Sequence, residues 1–203
     1  MDAIEKRGLI IGLTGKKEVG KDTVGQYFVE HHNFLHRSYA AIMKQAVAAL
    51  WGIPLDWVDE YKDPELKAYV TLHGGMADEL SSTVKRSMDW REFLQRFGTE
   101  MGRETFGSEF WVDFVVPSLD NAPNWWPHSD IVITDVRFLN EAERIKDFEG
   151  KIIEIVRPGY EGDNHVSELG LPDSMIDVRI HNGGTIDNLL WTAGKVLNEF
   201  RRV

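Results

Sequence analysis

The sequence predicts an α/β protein with a mainly parallel sheet and helices on both of its faces. Three short apolar runs, at 8–14, 131–134 and 151–156, have the length and composition of buried strands. Stretches of helical composition follow two of them, at 21–32 and 139–148. Strands that alternate with helices form parallel sheets, because each crossover helix covers one face of the sheet.

The other elements are assigned from composition and from Gly and Pro breaks. A second strand is predicted at 34–39 with a helix at 40–50, and helices are predicted from Asp89 to about Arg103 and from Glu109. The chain should end with a strand and a helix, at 175–180 and 186–201. The weakly patterned, polar stretch 52–88 is predicted to be a mobile insert in an otherwise single domain that spans 1–203.

Composition limits the classes of function. The chain has 203 residues and no cysteine, which excludes disulfides and thiolate metal sites. A net charge of -10 argues against a protein that coats nucleic acid, because that binding depends on Lys and Arg. The charged N-terminus lacks a signal-peptide core, and no apolar run approaches the ~18 residues of a membrane span. We therefore expect a cytoplasmic protein.

The segment 15–23, Gly-Lys-Lys-Glu-Val-Gly-Lys-Asp-Thr, fits the phosphate-loop pattern G-x-x-x-x-G-K between a strand and a helix. Glycines let backbone N–H groups curl around an anion, and the following helix directs its positive end to the same place. The motif makes the predicted sheet one of the P-loop NTPase type. The predicted ATP- and phosphate-binding residues are Gly15, Lys16, Lys17, Gly20, Lys21, Asp22 and Thr23. Lys21 is also a candidate catalytic residue, because its charge would act on the β and γ phosphates.

One position departs from the usual phosphate loop. Asp22 follows Lys21, and the hydroxyl that normally joins the Mg²⁺ shell comes one residue later, at Thr23. Thr23 is kept as a candidate metal ligand. Asp22 is a candidate catalytic residue that would hold a metal-bound water or position the acceptor; alternatively, it is an acid favoured at a helix N-terminus.

The run Ile-Val-Ile-Thr before Asp135 places a carboxylate at the end of a buried strand, where parallel sheets bind ligands. Asp135 is therefore a candidate metal ligand. Arg137, two residues on, is a candidate catalytic residue for the transferring phosphoryl group. Taken alone, the pair would more often be a strand-end salt bridge. Glu141 lies one helical turn beyond Arg137 and either orients that arginine or pairs with it.

The helix predicted from Asp89 carries three stripes of side chains. Apolar residues spaced for one face are predicted to point to the core: Leu94, Phe97 and Met101. Polar residues four apart form a second stripe: Arg91, Gln95, Thr99 and Arg103. A third stripe alternates in sign and predicts a solvated salt ladder: Glu92, Arg96 and Glu100. The polar stripe either contacts a base and a monophosphate or is an exposed face.

Taken together, these motifs resemble the deoxynucleoside monophosphate kinases of tailed bacteriophages. The resemblance is carried by the Gly-Lys-Asp-Thr end of the phosphate loop, by 94–103 and 133–143, by Arg-Pro-Gly at 157–159, by His165 with Ser167 and Glu168, and by 182–187. It spans most of the chain, and 55–87 is the least matched part. It implies ATP as donor, Mg²⁺ as cofactor, deoxynucleotides as acceptors, and a phage protein acting in the host cytoplasm.

The resemblance also implies residues that bind the acceptor. These are Gln95, Thr99, Arg103, Arg137 and Glu141, with His165 and Glu168 on a lid-like segment at about 158–172. A lone loop histidine is more often solvated, which is the alternative for His165. The insert at about 52–88 would bind the acceptor and move.

Other functions stay open at this point. Animal phosphomevalonate kinases are similar at several of the same motifs, so a non-nucleotide phosphate is an alternative acceptor. A nucleotide-binding switch with little chemistry is a second alternative. A nucleotide acceptor would need a stacking aromatic, for which Trp90, Trp111 and Trp125 are available. We expect small-molecule nucleotides as partners, with neither a nucleic acid polymer nor a membrane, and leave the oligomeric state open, a homodimer included.

Overall fold

A computed structural model describes residues 7–60, 69–73, 85–122, 126–159 and 170–202. They form two compact units. Unit 1 comprises Met1–Ala40 and Val112–Val203, and unit 2 comprises Ala41–Trp111, so that unit 2 is inserted into the sequence of unit 1. The predicted insert at 52–88 falls inside unit 2, and its mobility stays a prediction.

Unit 1 contains a five-stranded sheet whose paired strands are all parallel. Its strands are β1 (Ile10–Thr14), β2 (Leu35–Arg37), β5 (Ile131–Ile133), β6 (Lys151–Val156) and β7 (Val178–His181). The order across the sheet is β2-β5-β1-β6-β7, so β1 lies between two strands that come more than a hundred residues later. This arrangement confirms the predicted α/β class.

Helices cover both faces of this sheet. On one face, α1 (Lys21–His32) and α7 (Ile186–Phe200) pack over Ile11, Leu13 and Ile153 to form the main core. On the other face lies α6 (Leu139–Asp147), whose Ile145 packs against β1 at Gly12. All five residues of β1 are buried, and they alternate between the two faces of the sheet, as expected for a strand covered on both sides.

The carboxyl ends of the five parallel strands lie at one edge of the sheet. The phosphate loop follows β1 there, Ser38 follows β2, and Asp135 lies just beyond β5. Asn182 follows β7 at the same edge. Ligands of open α/β sheets bind outside this edge.

Unit 2 has its own elements and core. It contains α3 (Leu55–Glu60), α4 (Trp90–Arg96), a π-helical segment (Phe97–Thr105), and an antiparallel pair, β3 (Tyr69–His73) with β4 (Lys85–Asp89). Two helices cross its sequence boundaries, α2 (Tyr39–Trp51) and α5 (Phe110–Val115). The core of unit 2 contains Val47, Val58, Trp90, Phe93, Leu94, Phe97 and Trp111.

The helix predicted from Asp89 to Arg103 is only partly regular. It begins at Trp90 as an α-helix, but from Phe97 onward the chain is a π-helix. Leu94 and Phe97 are buried as predicted, whereas Met101 is 38% exposed. The prediction for Met101 is wrong because i→i+5 bonding changes the spacing that brings side chains onto one face. The predicted salt ladder is confirmed, with Arg96 2.9 Å from Glu92 and 3.8 Å from Glu100.

Two of the tryptophans considered for base stacking belong to the core of unit 2. Trp90 donates its indole N–H to the carbonyl of Val58 at 2.9 Å, and Trp111 donates to the carbonyl of Gly98 at 2.8 Å. Both are at most 5% exposed, so their ring faces are already used for packing. Trp125 lies outside the described residues.

Within the described residues, none of the helices has the length and apolar character needed to cross a membrane.

His32, in the last turn of α1, gives the fold a pH dependence. Burial, the Arg201 guanidinium and the neighbouring His31 hold the pKa of His32 below its ordinary value. Arg201 is itself paired with Asp130 at 2.6 Å. The folded state therefore resists protonation of His32 more than the unfolded state does. Above about pH 6.5, where His32 is neutral in both states, this difference costs the folded protein no stability. As the pH falls from there toward the folded pKa, the unfolded state takes up the proton first and the free energy of unfolding decreases.

We therefore expect the free energy of unfolding to fall between pH 7 and pH 5, and to fall less in His32→Gln. Urea denaturation at the two pH values measures this difference. His31→Gln is the matched control because His31 is exposed on the same turn, and it should keep most of the dependence. An equal pH dependence in His32→Gln and the native protein would contradict the expectation.

Candidate active site

The phosphate loop is shaped by glycines at its two ends. Gly15 has φ +130°, and a Cβ there would lie 2.3 Å from the carbonyl oxygen of Ile155 in β6. Gly20 has φ +107° and directly precedes α1. Both positions therefore exclude a side chain, one by contact with backbone and both by conformation. The loop predicted from the sequence is thus present, between β1 and α1.

Lys21 lies inside the curl of this loop. Its ammonium donates to the carbonyls of Gly15 at 2.8 Å and Lys16 at 2.5 Å, and the residue is only 8% exposed. It is also the first residue of α1, where the helix dipole is positive. The structure therefore places a cation and a helix N-terminus at one point, an arrangement suited to phosphate oxygens.

The other predicted loop residues are exposed. Lys16, Lys17, Asp22 and Thr23 all face solvent, and the Lys17 ammonium is 3.4 Å from the carboxylate of Glu18. Asp22 and Thr23 stand in the first turn of α1, next to Lys21. Exposure leaves these four side chains accessible to a ligand, and their predicted roles stay predictions.

Asp135 is used in the structure to hold the first turn of α2. Its Oδ1 accepts from the backbone N–H of Tyr39 at 2.9 Å. Its Oδ2 accepts from the N–H of Ala40 and from the hydroxyl of Ser38, both at 2.8 Å. Asp135 thereby satisfies N–H groups that lack partners at a helix start, a role that its sequence pattern did not predict.

Arg137 and Glu141 are connected through the backbone. The Glu141 carboxylate, almost fully buried, accepts from the N–H groups of Arg137 at 2.8 Å and Phe138 at 3.1 Å. The bond from the N–H of Phe138, the residue before α6, is the glutamate half of a capping box, since a phenyl ring cannot accept the reciprocal bond. Glu141 thus fixes the backbone that carries the exposed Arg137, and the two roles predicted for Glu141, orienting Arg137 or pairing with it, stay predictions.

The side chains at this edge of the sheet suit a Mg²⁺ ion that is held partly by protein and partly by the phosphates of a bound substrate. Among the described residues, no group of three or more His, Asp or Glu side chains is placed to hold a metal ion. Mg²⁺ is commonly bound instead through one or two carboxylates and the phosphates of a substrate. An ionised carboxylate offers about four acceptor positions, and bonds from the described part of the chain occupy three of those on Asp135. Its Oδ1 keeps one for a metal or a metal-bound water.

The predicted acceptor contacts are divided between the two units, with Arg137 and Glu141 in unit 1. Gln95, Thr99 and Arg103 belong to unit 2, where the first two are exposed and Arg103 is half-buried. His165 and Glu168 lie outside the described residues, as does most of the predicted lid at 158–172. These assignments stay predictions.

Two residues with clear positions at the edge were not assigned a role from the sequence. Ser38 bonds Asp135, and Asn182 donates its amide N–H to the carbonyl of Val19 in the phosphate loop at 2.9 Å. Each is a polar residue directly after a strand of the parallel sheet. That position was a usable signal, because it puts a side chain at the ligand-binding edge.

The family model described as deoxynucleotide monophosphate kinase matches residues 41–192. The chain belongs to the deoxynucleotide monophosphate kinase family. This assignment confirms the predicted family, the predicted enzyme class and the predicted reaction, phosphoryl transfer to a deoxynucleoside monophosphate. The kinase accordingly acts with a nucleotide donor.

Three relatives support the assignment. The kinase is 30% identical to a putative deoxynucleotide monophosphate kinase of Acanthamoeba polyphaga mimivirus, over 88% of this chain and 91% of that one. It is 21% identical to the deoxynucleotide monophosphate kinase of Enterobacteria phage T4, over 89% and 95%. The enzyme of Escherichia phage RB69 is 27% identical over 68% of this chain and 54% of its own.

Among solved structures, a gluconokinase from Sinorhizobium meliloti 1021 aligns over 96% of the kinase and 95% of its own chain. The TM-score is 0.39 and the identity is 12%, a similarity too low to support an inference.

Proposed function

We propose that the kinase transfers the γ-phosphoryl group of ATP to the phosphate of a deoxynucleoside monophosphate, using the strand edge of unit 1 as its donor site. The observation that carries this assignment is the position of Lys21. Its ammonium lies in the curl of the phosphate loop at the start of α1, next to backbone N–H groups that can bind the β and γ phosphates.

The reaction forms one P–O bond and breaks another. An oxygen of the acceptor's phosphate attacks the γ phosphorus, and the bond from that phosphorus to the β–γ bridging oxygen breaks, leaving ADP and the deoxynucleoside diphosphate. The attacking oxygen is already anionic, so the step needs orientation and charge neutralisation more than a base. Lys21 neutralises the β and γ phosphates, and Arg137 neutralises the transferring group.

Asp135, Asp22 and Thr23 are the side chains that would hold Mg²⁺, whose charge offsets that of the phosphate oxygens. Lys16 and Lys17 add positive charge around the loop. Glu141 keeps the backbone of Arg137 in place through its capping bonds. The assignment of acceptor contacts to Gln95, Thr99, Arg103, His165 and Glu168 rests on the sequence resemblance.

The test is product formation with Mg·ATP and each of the four deoxynucleoside monophosphates, the matching ribonucleotides, and phosphomevalonate. We expect a deoxynucleoside diphosphate in one-to-one ratio with ADP from at least one deoxynucleotide, and no turnover of phosphomevalonate. ATP hydrolysis without a phosphorylated acceptor would contradict the proposed reaction. The ribonucleotide arm measures sugar preference.

Asp135→Asn is expected to lower kcat by about 100-fold and to raise the Mg²⁺ concentration needed for half-maximal activity. The amide keeps the shape of the side chain, but its NH₂ cannot accept hydrogen bonds and its charge is lost. Ser38→Ala is the matched control, since it removes one of the three bonds to Asp135 and leaves the carboxylate. It should leave the Mg²⁺ requirement unchanged.

A native Mg²⁺ requirement in Asp135→Asn would show that the carboxylate only holds α2. The metal assignment would then be wrong.

A further inference from the structure

Asn182 connects the last strand of the sheet to the phosphate loop. Its own backbone N–H donates to the carbonyl of Val156 at the end of β6, at 2.7 Å. Its side-chain amide donates to the carbonyl of Val19 at 2.9 Å. Asn182 is therefore anchored twice, through its backbone to the sheet and through its side chain to the loop.

The amide group also packs against the residue before Lys21. A Cβ on Gly20 would lie 3.0 Å from Nδ2 of Asn182 and 2.9 Å from Cδ2 of Leu189 in α7. Val19 is itself 2% exposed and belongs to the main core of unit 1 together with Leu189. The peptide between Val19 and Gly20 is thus held by contacts on one side of the loop.

A hydrogen bond to the carbonyl of Val19 fixes the orientation of the whole Val19–Gly20 peptide. In a planar trans peptide, the C=O and the following N–H point in opposite directions. The bond from Asn182 therefore sets the direction of the Gly20 N–H, which precedes Lys21 and belongs to the row of amides that curls in a phosphate loop. Without the bond, this peptide can rotate, because glycine places few limits on its own dihedrals.

We propose that Asn182 is a positioning residue for donor binding: it holds the Val19–Gly20 peptide so that the Gly20 N–H faces the phosphates of the nucleotide donor. This rests on the proposed function of the phosphate loop. Asn182 acts through the loop and does not touch the reacting atoms. Its contribution therefore belongs to the ATP side of the reaction and not to the acceptor side.

The test compares Asn182→Ala and Asn182→Asp in the full-length kinase. The alanine variant loses one hydrogen bond, and we expect its KM for Mg·ATP to rise about 5-fold. The aspartate variant has the same shape but can only accept hydrogen bonds when ionised, so its carboxylate opposes the carbonyl of Val19 and the donor phosphates. We expect a rise of at least about 10-fold, with the KM for the deoxynucleotide within about 2-fold of native in both variants.

Asn198→Ala, at an exposed position of α7, is the control for loss of an asparagine and should keep both KM values. Because Asn182→Asp preserves the packing volume, it keeps the test valid even where Asn182→Ala folds poorly. An unchanged KM for ATP in both variants would overturn the proposal. So would an equal rise in both KM values, which indicates general loosening of the site.

Equilibrium binding of ATP, measured by calorimetry without an acceptor, separates this proposal from the proposed function. Absence of turnover in the native protein would count against the proposed reaction alone. Native ATP affinity in Asn182→Asp would count against the role of Asn182, whatever the acceptor is.

Discussion

Replacing Lys21 by alanine is expected to lower kcat/KM for phosphoryl transfer by about 10³-fold, which corresponds to about 4 kcal/mol of transition-state stabilisation. The Lys21 ammonium is buried in the curl of the phosphate loop, where its charge is little screened by water. Negative charge on phosphate oxygens bound in the loop would then lose the Lys21 ammonium as a neutralising group. Steady-state kinetics with Mg·ATP and the best deoxynucleotide measure the effect.

Lys17→Ala is the matched comparison, because it removes a lysine from the same loop. The Lys17 side chain is 64% exposed and pairs with Glu18 at the surface, so its loss should cost less than about 10-fold. Both variants should keep native circular dichroism. Losses of similar size at the two positions would indicate that general positive charge, and not the position of Lys21, supports the reaction.

Gly102→Ala is expected to destabilise unit 2 by about 3 kcal/mol. A Cβ at Gly102 would lie 2.1 Å from Nε1 and 2.6 Å from Cε2 of Trp111. The indole would have to move and give up its bond to the carbonyl of Gly98, so overpacking adds to a lost buried hydrogen bond. These costs exceed the ~1 kcal/mol by which alanine is preferred over glycine in a helix.

Gly98→Ala tests the same type of change in the same π-helical segment. Of the described residues outside this segment, only Met43 would come within 4 Å of its Cβ, with the sulfur at 3.0 Å, and a thioether can move at little cost. Urea denaturation of the two variants should therefore separate them by more than about 2 kcal/mol. Equal stabilities would mean that the contact with Trp111 does not determine the packing of this segment.

The sheet was predictable because its strands are short apolar runs with sharp ends. The predicted strand at 151–156 matches β6 residue for residue, and the predicted helix at 21–32 matches α1. The glycine-rich segment between β1 and α1 also matched, since a strand, a glycine turn and a helix start form a purely local pattern. Local patterns of this kind need no knowledge of the neighbouring strands.

The π-helical segment could not be predicted in this way. Its sequence keeps an i, i+3, i+7 apolar spacing through Met101, which indicates a regular α-helix. This spacing contains no information about the close approach of Trp111 to the backbone at Gly102, which is a contact between two helices. Tertiary packing therefore decides the local hydrogen bonding here, and the exposure of Met101 follows from it.

The residues of the candidate site also differ in whether a local pattern was enough to predict them. Lys21 was located from the phosphate-loop pattern between a strand and a helix. Asp135 was located from its place after a buried strand, because such a residue lies at the ligand-binding edge of a parallel sheet. The contact of Asp135 with Ser38 requires β2 to lie beside β5, a pairing of segments nearly a hundred residues apart. The contact of Asn182 with Val19 spans an even longer stretch of sequence. Single motifs carry no information about such pairings.

The strand order has a consequence for synthesis on the ribosome. β1 emerges first, but its two neighbours, β5 and β6, come after the whole of unit 2. Domains tend to fold as they are completed, at roughly 5–20 residues per second, so we expect unit 2 to be folded while β1 still lacks both partners. The phosphate loop, which needs β6 behind Gly15 and Asn182 beneath Val19, would then be among the last parts of the kinase to form. We expect a nascent chain released before β7 to carry the complete phosphate-loop sequence but not to bind ATP.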